Sequence, residues 1–158
     1  MPIPDFIVEL RRLVGTRPLP LAGVTAVVER DGRVLLGRRS DNGHLTPITG
    51  IIDPAEEPAD AAVREAFEEA GVRVRVVRLA QVKTVPRVVF DNGDQADFLD
   101  LTFRCEWIEG EPYPADGELS EVGWFDVAAV PDLVSPEMQS RLAAGLSDEI
   151  PARFFGGR

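Results

Sequence analysis

The chain has 158 residues, 44% of them hydrophobic and 28% charged, and a formal net charge of −10. Such a length suits one domain spanning residues 1–158 with a core of its own, and the acidic balance argues against nonspecific binding to nucleic acid or to an anionic membrane. A single cysteine, Cys105, excludes an intrachain disulfide, and with His44 as the only histidine a zinc cluster or a Ser-His-Asp site is a poor fit.

No apolar run approaches the ~18 residues that span a bilayer, and no signal peptide opens the chain. The expected location is therefore the cytoplasm. Residues 5–14 read as a short helix that Asp5 can cap, with Phe6, Ile7, Leu10, Leu13 and Val14 on its apolar side. Plain packing is its simplest role, beside a lid or a dimer element. Arg17-Pro18-Leu19-Pro20 reads as a connector. Residues 22–29 and 33–38 read as a β-hairpin, because Val24, Ala26 and Val28 alternate and Asp31-Gly32 is a two-residue turn that matches strand twist. At its end, Arg38 and Arg39 could meet substrate phosphates or could be an ordinary basic strand end.

Residues 50–72, GIIDPAEEPADAAVREAFEEAGV, organise the rest. A helix is expected over 58–70, with Pro58 in its first turn and Gly71 just past its end. Ala59, Ala62, Val63, Ala66, Phe67 and Ala70 make one apolar stripe facing a core. Glu65, Glu68 and Glu69 share the opposite face. Like charges at these spacings cost a helix a few tenths of a kcal/mol per pair, and Glu68 and Glu69 also lie where the helix dipole disfavours them. Arg64 repays part of this cost. A divalent cation would repay more, and hard oxygen ligands without His or Cys point to Mg²⁺ or Mn²⁺. A merely solvated acidic face is the plainer reading of the helix taken alone.

The full spacing decides between them. Gly50 is followed after five residues by Glu56, then after seven by Arg64-Glu65, after two by Glu68-Glu69, and after one by Gly71 and aliphatic Val72. This pattern resembles the signature of the Nudix hydrolases at every defining position, with Ala66 standing where a larger aliphatic is usual. The resemblance implies an α+β, α/β/α-sandwich fold with a mixed sheet between helices. It also implies divalent-cation-dependent hydrolysis of a nucleoside diphosphate linked to another moiety. Glu65, Glu68 and Glu69 become the expected metal ligands. Glu56 becomes a structural partner of Arg64, whose planar fork can hold a carboxylate bidentately. Gly50 is expected to allow a tight turn close to the metal. Two positions depart from the family. Thr49 replaces a frequent glycine but keeps a backbone carbonyl for metal. Leu45 replaces an aromatic, so the usual mode of substrate stacking is missing.

Past the signature, Val72, Val74 and Val76 alternate into a strand that continues, bent, to Val85. Asp91-Asn92-Gly93-Asp94 turns the chain into a long strand over 96–107. Leu99, Leu101, Phe103, Cys105 and Trp107 share one face, with Phe98, Asp100, Thr102, Arg104 and Glu106 on the other. Asp97 and Asp100 are expected to be solvated or paired with arginines, and Cys105 to be core. Residues 108–120 read as a surface loop, and 121–125 as a strand with Trp124 and Phe125 in the core. Family members often carry a further acid here, as a metal ligand or as the base that activates water. Glu121 and Glu118 both qualify, with Glu121 preferred because it adjoins the strand. Asp126 can cap a short turn, Ser135-Pro136 opens a last helix lined by Met138, Leu142 and Leu146, and the tail from 147 is expected to be loosely held.

The first expected substrate is ADP-ribose or a similar nucleotide sugar, since some relatives that cleave it carry a proline close to the position of Pro86. Nucleoside triphosphates and a non-catalytic nucleotide-sensing role are the alternatives. No nucleic-acid or membrane partner is expected, and the many homodimers in the family leave a homodimer open for this chain.

Overall fold

The computed structural model describes residues 3–157. In chain order these form α1 (Asp5–Val14), β1 (Leu19–Arg30), β2 (Arg33–Arg39), β3 (Leu45–Thr46), β4 (Ile48–Ile51), α2 (Pro58–Ala70), β5 (Arg73–Thr84), β6 (Val88–Val89), β7 (Gln95–Glu109), β8 (Leu119–Asp126), a 3-10 turn (Val127–Asp132) and α3 (Pro136–Leu146). One sheet runs β3-β2-β1-β7-β5, with β4 added to β1, β6 to β7 and β8 to β2. β1 lies parallel to β7 and antiparallel to β2 and β4, so the sheet is mixed. Among the described residues no helix is long and apolar enough to cross a membrane.

Alternation along β1 assigns the two faces. Val24, Ala26 and Val28 join Leu35, Phe103, Cys105 and the α2 alanines in one buried cluster. Val27 joins Val34, Leu36 and Leu142 of α3 in the other. α2 and α3 thus cover opposite faces, the expected sandwich. The β1–β2 turn has both central residues, Asp31 and Gly32, at positive φ, the conformation that matches strand twist. Asp126 caps the 3-10 turn through Ala128 N–H, and Ser135 caps α3 through Met138 N–H. Cys105 is buried, and burial alone pushes its thiol up to about 12.

Several expectations are corrected. Leu19 and Pro20 belong to β1, paired with β7, and are not a connector. Asp5 does not cap α1: Pro4 precedes the helix, and Asp5 lies in its first turn, where the dipole still favours it. Only Ile7 of the α1 apolar set is buried, and Leu13 is 84% exposed. The helix is instead fastened by Arg11, whose guanidinium donates to the carbonyls of Gly15, Arg17 and Gln95 and lies 3.5 Å from Asp94. The tail is tied down as well. Arg153 exchanges backbone hydrogen bonds with Ala80 and Val82 along β5. Asp97 pairs with Arg87, as expected. Asp100 is buried and ion-paired at 3.0 Å with Arg141 of α3, and it also accepts from Thr25 and Thr102.

Candidate active site

α2 keeps its expected ends but presents a different face. Its buried residues are Ala61, Ala62, Glu65, Ala66, Glu69 and Ala70, whereas Val63 and Phe67 are exposed. Projected at ~100° per residue, the buried arc is turned by roughly 80° from the expected apolar stripe. Glu65 and Glu69 therefore sit inside, at 0% and 2% exposure, and only Glu68 faces outward. Small alanines let α2 lie close on the sheet, and Phe67 instead rests near the Arg73 guanidinium, 5.8 Å from its ring.

Gly50 also acts differently from expectation. It lies in β4, opposite Val24, and its φ is not positive. A Cβ there would fall 2.0 Å from the Glu65 carboxyl carbon. The missing side chain is the space that the Glu65 carboxyl fills. Gly71 does serve as the left-handed residue past α2, at φ 68°, with the Tyr113 ring packed over it.

Arg64 is the hub of the site. Its Nε and Nη2 grip both Glu56 carboxylate oxygens at 2.8 and 2.9 Å. Nη2 also donates to the Ile51 carbonyl, and Nη1 to Glu65 Oε1 at 2.8 Å and Glu68 Oε2 at 3.1 Å. All five guanidinium N–H groups are thereby used. The Arg64 pair holds the Glu56 carboxyl below its ordinary value. Between Asp53 and Glu56 the chain turns tightly, with Ala55 at φ 65°.

Burial pushes Glu65 up to about 7, although Arg64 opposes the shift. Glu69 is pushed up further, first by burial and then by Glu118, whose carboxyl hydrogen-bonds its own. Burial and the neighbouring carboxyl both favour the protonated form of Glu69.

The sheet explains which added acid joins the cluster. β2 pairs Arg38 with Glu121 and Arg39 with Leu119, so Ser120 is the extra residue of a bulge. Leu119, Val122 and Trp124 pack on the α2 side of the sheet, and Phe125 on the α3 side. Arg38 and Glu121 are thus paired on the α3 face, 3.1 Å apart. Arg39 shares the α2 face, and Glu118 and Glu69 lie within electrostatic reach of it. The preference for Glu121 is corrected: Glu118 is the acid that the structure brings to Glu69. Alternation back from Trp124 through Val122 already puts Glu121 on the α3 face, away from the acid cluster. Arg39 is gripped by Asp41 at 2.6 Å.

The loop before β8 is fixed where it crosses α2. Tyr113 N–H donates to the Ala70 carbonyl and Ala115 N–H to that of Glu69, which satisfies helix-end acceptors. Glu111 reaches Arg30, which stacks 3.7 Å over Trp107. Thr49 faces Thr25 in the β1–β4 ladder, while Ile52 N–H bonds the Ala22 carbonyl. That phase makes Thr49 a non-hydrogen-bonded position, with its carbonyl turned away from β1. Leu45 is buried core, paired with Arg38 and bridged to Val134.

Among the described residues, no three His, Cys, Asp or Glu side chains converge as a ready metal cage. Arg64 already lies between Glu65 and Glu68, and Glu69 faces Glu118. The donors still fit a hard divalent cation. Glu65 Oε2 is buried without a hydrogen-bond partner, and every candidate ligand is an oxygen.

Residues 19–144 match the model of the NUDIX domain. The chain belongs to the NUDIX family. It is 34% identical over 113 residues to an NAD-capped RNA hydrolase NudC from Chromobacterium violaceum, a match covering 70% of this chain and 40% of the relative. It is also 34% identical over 135 residues to a MutT-like protein from Streptomyces ambofaciens, covering 84% of this chain and 79% of that one. The chain thus spans about two fifths of the first relative's length. A NUDIX hydrolase from Nitrosomonas europaea shares the fold at a TM-score of 0.66 and 22% identity, with 80% of this chain and 88% of that one covered. Divalent cations are general in this family.

Proposed function

We propose that this protein hydrolyses, with Mg²⁺ or Mn²⁺, the diphosphate of a nucleoside diphosphate linked to another moiety, ADP-ribose or a similar nucleotide sugar first. The observation that carries the proposal is the buried acid cluster itself: Glu65 with an unpartnered oxygen beside Gly50, and Glu69 against Glu118. Buried carboxyls whose partners only partly offset the cost of burial are stabilised further by a ligand. Glu65, Glu68, Glu69 and the Thr49 carbonyl would hold the cation. When bound, it neutralises diphosphate oxygens and lowers the pKa of the attacking water.

The remaining work falls to side chains. Arg64 fixes the loop carrying Glu56 against α2, so the carboxylates are held in place before substrate arrives. Glu118 is positioned as the proton acceptor, because it is the acid outside the signature whose carboxyl meets Glu69. Arg39, on the same face, is the phosphate contact, with Asp41 as its partner when no substrate is present. Arg38 and Glu121 face the other way and have no part in this scheme.

The relatives named NAD-capped RNA hydrolases favour a second substrate within the same class, since NAD is itself two nucleosides joined through a diphosphate. A hydrolysis panel tests the proposal: ADP-ribose, other nucleotide sugars, NAD, and nucleoside triphosphates including an oxidised guanine form, each with Mg²⁺ and Mn²⁺. Turnover of a diphosphate-linked substrate, lost in a Glu68→Gln, Glu69→Gln variant, is expected. Turnover of triphosphates alone would replace the substrate class, and binding without turnover would indicate a sensing module.

A further inference from the structure

A groove of about 460 Å³ opens directly beside the acid cluster. One wall comes from the start of α1, with Asp5 and Phe6. The other comes from Ile51, Asp53, Arg64 and Glu68. The family match begins at residue 19, so α1 lies ahead of the matched region. We propose that this groove seats the nucleobase of the substrate, stacked on Phe6, and that α1 is a specificity element of the site. The inference rests on the diphosphate-hydrolase reading for the identity of the substrate, but not for the groove.

Four observations support it. The groove shares Arg64 and Glu68 with the acid cluster, so a molecule whose diphosphate meets the cluster can extend into it. Its volume lies within the range of small-molecule sites. Phe6 is half-buried, with one part anchored and one part lining the groove, which suits a flat ring. The wall is also fixed, because Arg11 ties α1 to Gln95 and Asp94.

Charge defines the occupant. Asp5, Asp53 and Glu68 border the groove, and Arg64, the one cation among the described lining residues, has no N–H left to give. A further phosphate would find no donor and would meet carboxylates. An uncharged ring carrying N–H groups, such as adenine with its exocyclic amine, would find acceptors. The groove therefore favours a base linked to a diphosphate over the terminal phosphate of a triphosphate.

The test is calorimetric titration of AMP and of ribose 5-phosphate into the full chain with Mg²⁺, using wild type, Phe6→Leu and Phe6→Trp. Leucine keeps an apolar side chain for α1 while removing the ring. Phe6→Leu is expected to weaken AMP by about tenfold and to leave ribose 5-phosphate unchanged, with Phe6→Trp retaining AMP. KM for ADP-ribose should rise by the same factor at constant kcat. Unchanged AMP binding in Phe6→Leu, or equal weakening of both ligands, would overturn the assignment. Wild-type protein that binds AMP through Phe6 but turns over no diphosphate would uphold the groove and refute the reaction.

Discussion

Burial of Glu65 has a consequence for stability that can be measured without substrate. Its carboxyl is pushed from 4.5 up to about 7. An acid whose folded pKa is raised stabilises the fold fully below the unfolded value, and that stability is lost as pH rises through the folded value. Applied to Glu65 alone, the metal-free protein should lose about 2 kcal/mol between roughly pH 5.5 and pH 7.5. Glu69, shifted in the same direction, steepens the loss. Glu56, Asp41 and Asp97 are held low, so they act only at more acidic pH. Urea unfolding in EDTA at several pH values measures the slope. Adding Mg²⁺ should recover the loss at the alkaline end, because the cation binds the ionised pair and displaces protons. Glu65→Gln should flatten the slope and stabilise the metal-free protein near pH 7.5. Metal-free stability that is level or rises from pH 5.5 to 7.5 would refute the claim that burial outweighs the charge Arg64 supplies to these glutamates.

Three further outcomes follow from the same geometry. Arg64→Lys removes the fork that grips Glu56 and leaves at most three donors for five bonds, so unfolding should come about 2–3 kcal/mol sooner, read as a thermal midpoint lower by roughly 5–10 °C. Ala55→Gly relieves a left-handed residue that costs about 1 kcal/mol, and should raise stability by up to that amount in urea titration with activity unchanged. Gly50→Ala places a methyl group where the Glu65 carboxyl sits, so metal-dependent turnover should fall by at least about a hundredfold while circular dichroism still reports a folded chain.

Local signals made the element ends legible. Pro58 and Gly71 bracket α2 as expected, Asp31-Gly32 sets the hairpin, and Ser135-Pro136 opens α3. The motif spacing also located Arg64 opposite Glu56. What the sequence hid depends on tertiary packing. Val63 and Phe67 are the bulkiest apolar groups of α2, so hydrophobicity pointed to their face. A helix pressed close to a sheet uses its alanines instead, and turned Glu65 and Glu69 inward. The bulge at Ser120 is a pairing event that leaves no sequence mark, and it separates Glu118 from Glu121. The Asp100–Arg141 pair joins elements 41 residues apart, beyond the reach of any periodicity. The part of α1 in the groove was hidden because only the fold brings residues 5 and 6 beside 64 and 68.

The most direct test of the proposed site is turnover of ADP-ribose by metal-stripped protein before and after Mg²⁺ or Mn²⁺ is returned, with Glu118→Gln and Glu121→Gln run alongside. The account requires no turnover without metal, recovery on addition, a drop of at least about a hundredfold in kcat for Glu118→Gln, and near-wild-type rates for Glu121→Gln. Turnover that survives metal removal, or a loss with Glu121→Gln while Glu118→Gln stays active, would contradict it.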